Sequence, residues 1–296
     1  MDRLVTLSAG QLTLELNPAV GGSIARFDFA DGQRKVPILR RGDGPPGDVL
    51  SAASFPLVPY VNRIRGGQFR FRGRTVRLTP NMPGDPSPLH GQGWLGRWRV
   101  AATSATEAAL DYMHDAGEWP WPYLARQRFT LDDCGLGIEL SCRNLAAEPM
   151  PCGLGQHPYF HCSAGTRLRT RVDHVWTIDQ QVLPVERVAA TGRYDLSDRA
   201  VCGLGLDHGF GGWGGEALLS DPDWSFDLAM SAPDARFFQL YSPEQGGIFV
   251  IEPVSHANTA LNAPEEEWAE LGIRVLGPGE DMALAMRLDL VPKAQP

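Results

Sequence analysis

Residues 11–32 read Gln-Leu-Thr-Leu-Glu-Leu-Asn-Pro-Ala-Val-Gly-Gly-Ser-Ile-Ala-Arg-Phe-Asp-Phe-Ala-Asp-Gly. Leu12, Leu14 and Leu16 alternate with polar residues, which puts every second side chain on one face of an extended chain. Asn17-Pro18 turns the chain, Phe27 and Phe29 resume the alternation, and Asp31-Gly32 supplies a hairpin signal. The stretch opens an antiparallel meander, and no helical period follows in the first 100 residues.

The period of two recurs along the chain. Phe69 and Phe71 alternate, then Val76 and Leu78, joined across Arg72-Gly73-Arg74. The runs AALDYMH, QRFTL, LGIELSC, FDLAM, RFFQLY and GIFVIEPV read as strands, and RLRTRVDHVWTID reads as a strand pair. MALAMRLDLV is a last strand that ties the C-terminal end into a sheet. Only Pro264 to Leu276 looks helical, because Pro264 and three following glutamates suit a helix N-terminus. Residues 40–60 and 79–96 read as loops. No linker or repeat divides residues 1–296, so one mostly β domain is expected.

Thirty-three glycines and 24 prolines among 296 residues exceed the usual share and signal many turns between short strands. A formal net charge of −8 argues against a nucleic-acid partner or an anionic membrane surface. No apolar run approaches the ~18 residues of a membrane-spanning helix, and the first residues lack a signal-peptide pattern. The cysteines, Cys134, Cys142, Cys152, Cys162 and Cys202, are odd in number and contain no CxxC pair. That pattern predicts neither a metal site nor a disulfide framework, and it suits a reducing cytoplasm.

Five ionisable side chains stand in places bounded by glycine, proline and aromatic residues. In Gly153-Leu154-Gly155-Gln156-His157-Pro158-Tyr159-Phe160, Pro158 disfavours the helical region for His157 and holds it extended. Tyr159 and Phe160 offer aromatic surface beside the imidazole, and Gly153 and Gly155 permit close approach to the backbone. Such a histidine suits a general acid or base acting on a sugar, although a structural histidine in a β-bend has the same surroundings. Arg63 stands where the chain enters the Phe69 hairpin, as either a fork for vicinal hydroxyls or a surface charge. His90 ends a loop of four prolines and precedes Trp94 and Trp98, which line a sugar site or fill a core. Asp207 lies in the glycine-rich loop LDHGFGGW. Glu252 ends the apolar run GIFVI, where desolvation raises a carboxyl toward a base useful at neutral pH; a capping or salt-bridging glutamate is the alternative.

In this order, NRIRGGQFRFRG, LHGQGWLGRW, GLGQHPYF, LDHGFGGW and IEPVSHANTALN resemble the aldose 1-epimerase (galactose mutarotase) family, and the HPYF form with EPVSH is most similar to its bacterial branch. The resemblance spans residues 10 to 290 or so. It implies a large antiparallel β-sandwich with an open substrate groove, and interconversion of the α and β anomers of an aldose with no cofactor and no metal. Carried over position by position, it makes His157 the general acid and Glu252 the general base, and it makes Arg63, His90 and Asp207 the substrate-binding groups. The substrate is then a monosaccharide such as galactose or glucose, and the protein a cytoplasmic monomer or homodimer. Gln156 departs from the asparagine that many mutarotases carry before this histidine, which puts the choice of sugar in question.

Mutarotation removes a proton from the C1 hydroxyl, adds one to the ring oxygen, and reverses both after the aldehyde turns. That chemistry asks for His157 as imidazolium beside an ionised Glu252, and Asp207 is a candidate for holding His157 charged. His161, His208 and His256 stay outside the catalytic set, with His208 facing away from Asp207 on a strand and His256 near the groove rim. A glycoside hydrolase using Asp207 and Glu252 is one rival reading. A carbohydrate-binding sandwich without chemistry is a second, and a metal enzyme using His157 and His161 a third. A phosphorylated or otherwise anionic sugar would need extra cations, for which Arg65, Arg70 and Arg97 are available; the acidic net charge favours a neutral one.

Overall fold

The computed structural model describes residues 4–41 and 47–293, so residues 42–46 of the expected loop lie outside the described part. Alternation does what it promised at the N-terminal end. Strands Val5–Ala9, Leu12–Asn17, Ser23–Asp31 and Arg34–Pro37 form an antiparallel four-stranded meander, in which Leu14 pairs with Leu7 on one side and Phe27 on the other. All three are fully buried.

Two large antiparallel sheets make the sandwich. The nine-stranded sheet runs in the order Arg199–Ala200, Arg167–Thr170, Glu216–Ser220, Phe226–Ser231, Asp281–Pro292, Gly135–Asn144, Tyr123–Leu131, Glu107–His114 and Arg99–Thr103. Its inward residues alternate, as in Met282, Leu284, Met286 and Leu288 of the long C-terminal strand, which lies at the sheet's centre.

The other sheet carries the site. Its strands are β1 (Pro56–Leu57), β2 (Gly155–Gln156), β3 (Tyr159–His161), β4 (His174–Ile178), β5 (Pro184–Ala189), β6 (Leu206–Gly211), β7 (Phe237–Ser242) and β8 (Ile248–Val254). Their order is β5-β4-β6-β7-β8-β2-β1, with β3 also paired to β8. One face enters the main core through Val175, Phe210, Phe238, Leu240, Phe249, Ile251 and Phe160. The other presents Trp176, Asp207, Gly209, Phe237, Gln239, Tyr241, Val250, Glu252 and Tyr159 to a groove, as the two-residue period requires. A second apolar cluster, built around Phe55, Val61, Trp94, Tyr159 and Val250, packs on that face.

Four sequence expectations need correction. RLRTRVDHVWTID is not a strand pair: Arg167–Thr170 belongs to the nine-stranded sheet and β4 to the other, and the chain changes sheets between them. The segment at Pro264 to Leu276 is one short 3-10 turn, a four-residue helix α1 (Trp268–Leu271) and a strand, Arg274–Leu276. Gly272 ends α1 in the left-handed region at φ 91°, which a glycine adopts at no steric cost. LDHGFGGW is largely strand β6, with Gly209 and Gly211 at alternate positions on the groove face. Finally, Cys162 and Cys202 are disulfide-bonded. The pair closes around the β7–β8 turn, where Gly247 N–H points to Cys202 Sγ at 3.3 Å and Gly247 O accepts from Cys162 N–H. Cysteine count and spacing carry no information on such a contact, since it arises from strand order.

Candidate active site

β8 is the axis of the site. It pairs with β2 through Gly155 and Val254, and with β3 through Tyr159 and Val250. His157 and Pro158 fill the break between β2 and β3, opposite Glu252. The proline does what its sequence position predicts: it interrupts pairing and leaves His157 extended, with its N–H donated to Phe55 O at 3.0 Å. Glu252 differs from expectation in one respect. It is not at a strand end but inside β8, cross-strand from Gln239.

The two side chains face each other, with His157 Nε2 3.4 Å from Glu252 Oε1. The imidazole stacks on Phe55 at 4.5 Å and 23° between planes, and lies 4.6 Å from the Tyr159 ring on its other contact. Phe160 is not part of this surface; it points into the core and stacks on Phe249. Burial pushes His157 down to about 3 and pushes Glu252 well above the usual carboxylate range. Asp207 adds to the rise at Glu252, while Arg63 opposes it. Both groups thus favour their neutral forms in the free site, which corrects the expectation of a charged pair held by Asp207. His157 Nδ1, Glu252 Oε2 and Gln239 Oε1 are buried without a protein hydrogen-bond partner, an uncommon state for polar atoms outside functional sites.

His90 and Asn62 hold each other in left-handed backbone, at φ 59° and 53°. His90 N–H donates to Asn62 O at 3.0 Å, and Asn62 N–H donates to His90 Nδ1 at 3.1 Å. The second bond makes Nδ1 an acceptor, so neutral His90 carries its proton on Nε2. Burial, His157 and Arg63 all keep His90 neutral. Gly91 follows at φ 75°, and a Cβ there would sit 2.1 Å from Val58 O. Trp94 and Trp98 are buried and fill space rather than line the groove. The Trp94 indole N–H donates to Leu89 O and Gly91 O, which braces the His90 turn.

Arg63 is buried with its Nε 2.8 Å from Asp85 Oδ2, and Asp85 Oδ1 accepts from Ser87 N–H. The proline-dense loop therefore supplies the arginine's counter-ion as well as His90. Asp207 on β6 accepts from Gln239 Nε2 at 2.7 Å, and its pKa is raised, chiefly by burial. Gln239 thus spans the groove floor between Asp207 and Glu252. All five sequence-predicted residues meet here, and one ligating atom each of His90, His157 and Glu252 lie within 4.8 Å of one another. Those three have the composition of a metal site. However, His90 offers an N–H rather than a lone pair unless its bond from Asn62 is broken, which suits a sugar oxygen better than a cation.

Sequence reading missed Phe55, Asn62, Asp85 and Gln239. Only Gln239 carried a signal, as a lone amide at an alternating position of the aromatic run RFFQLY. Gln156 turns away from the groove: it is buried between the sheets and bonds Gln127 Oε1 at 3.3 Å. It therefore cannot select a sugar by contact. His256 is not at the rim either. It is buried, accepts from Val61 N–H and contacts Ala257 O, and it is the group that approaches Gly153, where a Cβ would lie 2.0 Å from its ring. His208 faces the core beneath Tyr194, as strand parity predicts.

A two-sheet sandwich with a facing histidine and glutamate and further polar groups on one sheet's open face is the arrangement of a mutarotase-like fold. The aldose 1-epimerase family model matches residues 3–289, and the chain belongs to that family. It is 32% identical over 295 residues to the uncharacterised Escherichia coli K12 protein YphB, covering 96% of this chain and 98% of that one. A solved Escherichia coli K12 structure superposes with a TM-score of 0.90 at 31% identity, over 98% and 99% of the two chains. Galactose 1-epimerase from Lactobacillus acidophilus NCFM shares the fold, with a TM-score of 0.76 at 16% identity over 98% and 95%.

Proposed function

We propose that the chain is an aldose 1-epimerase that interconverts the α and β anomers of an aldose without a cofactor. The observation that carries this reading is the facing contact of His157 and Glu252 at 3.4 Å. The ring oxygen and the C1 hydroxyl are bonded to the same carbon. An acid and a base that act on both at once must stand side by side, as these do. Arg63, His90 and Asp207 surround the pair as donors and acceptors for the remaining hydroxyls, with Gln239 beside them.

The pair carries one exchangeable proton in either form, neutral or ionic. In the free site burial favours carboxyl plus imidazole. Sugar hydroxyls bonding to the polar atoms favour imidazolium plus carboxylate. A transfer across the contact interconverts the two without solvent. His157 then protonates the ring oxygen while Glu252 takes the C1 hydroxyl proton, and closure runs the steps backward. Each transfer is worth typically ~10²–10⁴ in rate. A glycoside hydrolase would instead pair two carboxylates about 5 Å or more apart; here the group facing Glu252 is an imidazole, and Asp207 is engaged by Gln239.

The test is NMR exchange between anomers of a panel of aldoses, with His157→Asn and Glu252→Gln beside the wild type. Both variants should stay folded and lose most of the rate. Full activity in either would end the mechanism, and glycosidic cleavage would replace the reading.

A further inference from the structure

Trp176 takes no part in the proton transfers at His157 and Glu252. It lies on the groove face of β4, half-buried, 6.0 Å from the Phe237 ring and edge-on to His174 at 4.8 Å. Its indole N–H donates to no group among the described residues. Large half-buried indoles with a free N–H suit a ligand that has both C–H faces and hydroxyls.

Sheet register places this ring in line with the acid–base pair. Gln239 is cross-strand from Glu252, and Gly209 is cross-strand from Gln239. Val175 pairs with Phe210, which brings Trp176 beside Gly209. A Cβ built on Gly209 would lie 3.2 Å from Gln239 Oε1 and 3.9 Å from Trp176 Cε3. With no side chain at Gly209 the groove floor is bare backbone between an unpartnered carbonyl and an indole edge, and even a Cβ there would crowd Gln239. At the Trp176 end of the groove the cations lie beside carboxylates, Arg187 3.6 Å from Glu270 and Arg65 3.7 Å from Asp179, while Arg40 lies at the other end over the Tyr159 ring and donates to Ala52 O.

We propose that Trp176 is a substrate-recognition residue: the end of the aldose ring remote from C1 rests on its indole above the bare backbone at Gly209, and the sugar so selected is neutral. This rests on the epimerase reading for the position of C1. It assigns Trp176 to binding in ground and transition states alike, so its loss raises KM and spares kcat.

The experiment follows sugar binding by calorimetry, and anomer exchange by NMR, for wild type, Trp176→Ala, Trp176→Phe and Gly209→Val. A hexose and its 6-phosphate serve as ligands. The alanine variant should bind the hexose about tenfold more weakly with kcat nearly unchanged. The phenylalanine variant should recover most of that loss, and valine at Gly209 should weaken binding by crowding Gln239 and the indole. The 6-phosphate should bind no tighter than the hexose. Equal hexose affinity in wild type and Trp176→Ala, a fall in kcat without one in affinity, or preference for the phosphate would each overturn the inference. If the wild type exchanges no anomers yet binds the hexose through Trp176, the epimerase reading fails and the recognition role stands.

Discussion

At Glu252 the chain sets a carboxyl where a carboxylate is least welcome, and the consequences reach both rate and stability. Its pKa in the folded state lies above the ordinary value, so folding favours the protonated form. Stability attached to this group is therefore fully present below pH ~4.5 and is lost as pH rises through the folded value. A neutral isostere removes that loss. Glu252→Gln should be more stable than wild type at pH 8, and the gap should close toward pH 4. Urea midpoints at the two pH values measure it, and a less stable glutamine variant at pH 8 would refute it. The rate has limbs of its own. Anomer exchange should hold a plateau across neutral pH, fall on the acid side where the pair takes a second proton, and fall on the alkaline side where it loses its only one. Since His157 is pushed down to about 3, the acid limb should lie well below the ordinary histidine value of ~6.5. An acid limb at or above that value would show that His157 is not the group so described.

At the scale of elements, the loop at 79–96 has to deliver two things at once, the His90 N–H and the Asp85 carboxylate. Arg63 and Asp85 side chains are only 10% and 7% exposed, so removing one charge strands the other. Asp85→Asn should destabilise by roughly 3–5 kcal/mol and lower the exchange rate as well; unfolding and NMR exchange on one preparation check both, and a stable, fully active variant would contradict it. Asp85 was not legible in the sequence, because a carboxylate in a proline-rich loop looks the same whether it faces water or a buried guanidinium. Strand faces were legible, because parity follows from spacing alone: Asp207 and His208 point to opposite sides as read. Partners were not. Period two says that RLRT and HVWT are strands and is silent on which sheet each joins. The same silence hid Gln156, whose neighbour Gln127 is a residue of the opposite sheet. Gly153 illustrates the converse. It was read as a place of close approach, and the approaching group is His256 of the chain itself, so Gly153→Ala should destabilise the fold by forcing the ring away from Val61. Thermal unfolding reads that loss, and an unchanged midpoint would mean the ring has room to move.

Across the whole molecule, four histidines are buried in neutral form. His157 is pushed down to about 3, His208 and His256 to about 4, and His90 well below its ordinary value, with desolvation the leading cause for each. The unfolded chain protonates all four near pH 6.5 or so, while the folded chain resists. Their contribution to stability is thus complete above pH ~6.5 and is lost as pH falls toward the folded values. The slope approaches ~1.4 kcal/mol per pH unit for each histidine that stays neutral only in the folded state. Acid unfolding should therefore begin above the carboxylate range. His208 provides the clean test, since it lies on the core face of β6, opposite Asp207, and its Nδ1 accepts from Asp207 N–H at 3.1 Å. His208→Gln keeps an acceptor there but cannot take a proton. Stability measured by urea between pH 7 and pH 5 should fall less steeply in that variant, by close to one bound proton. Equal slopes for the two proteins would mean that His208 is already protonated in the folded state, and that the acid sensitivity comes from elsewhere.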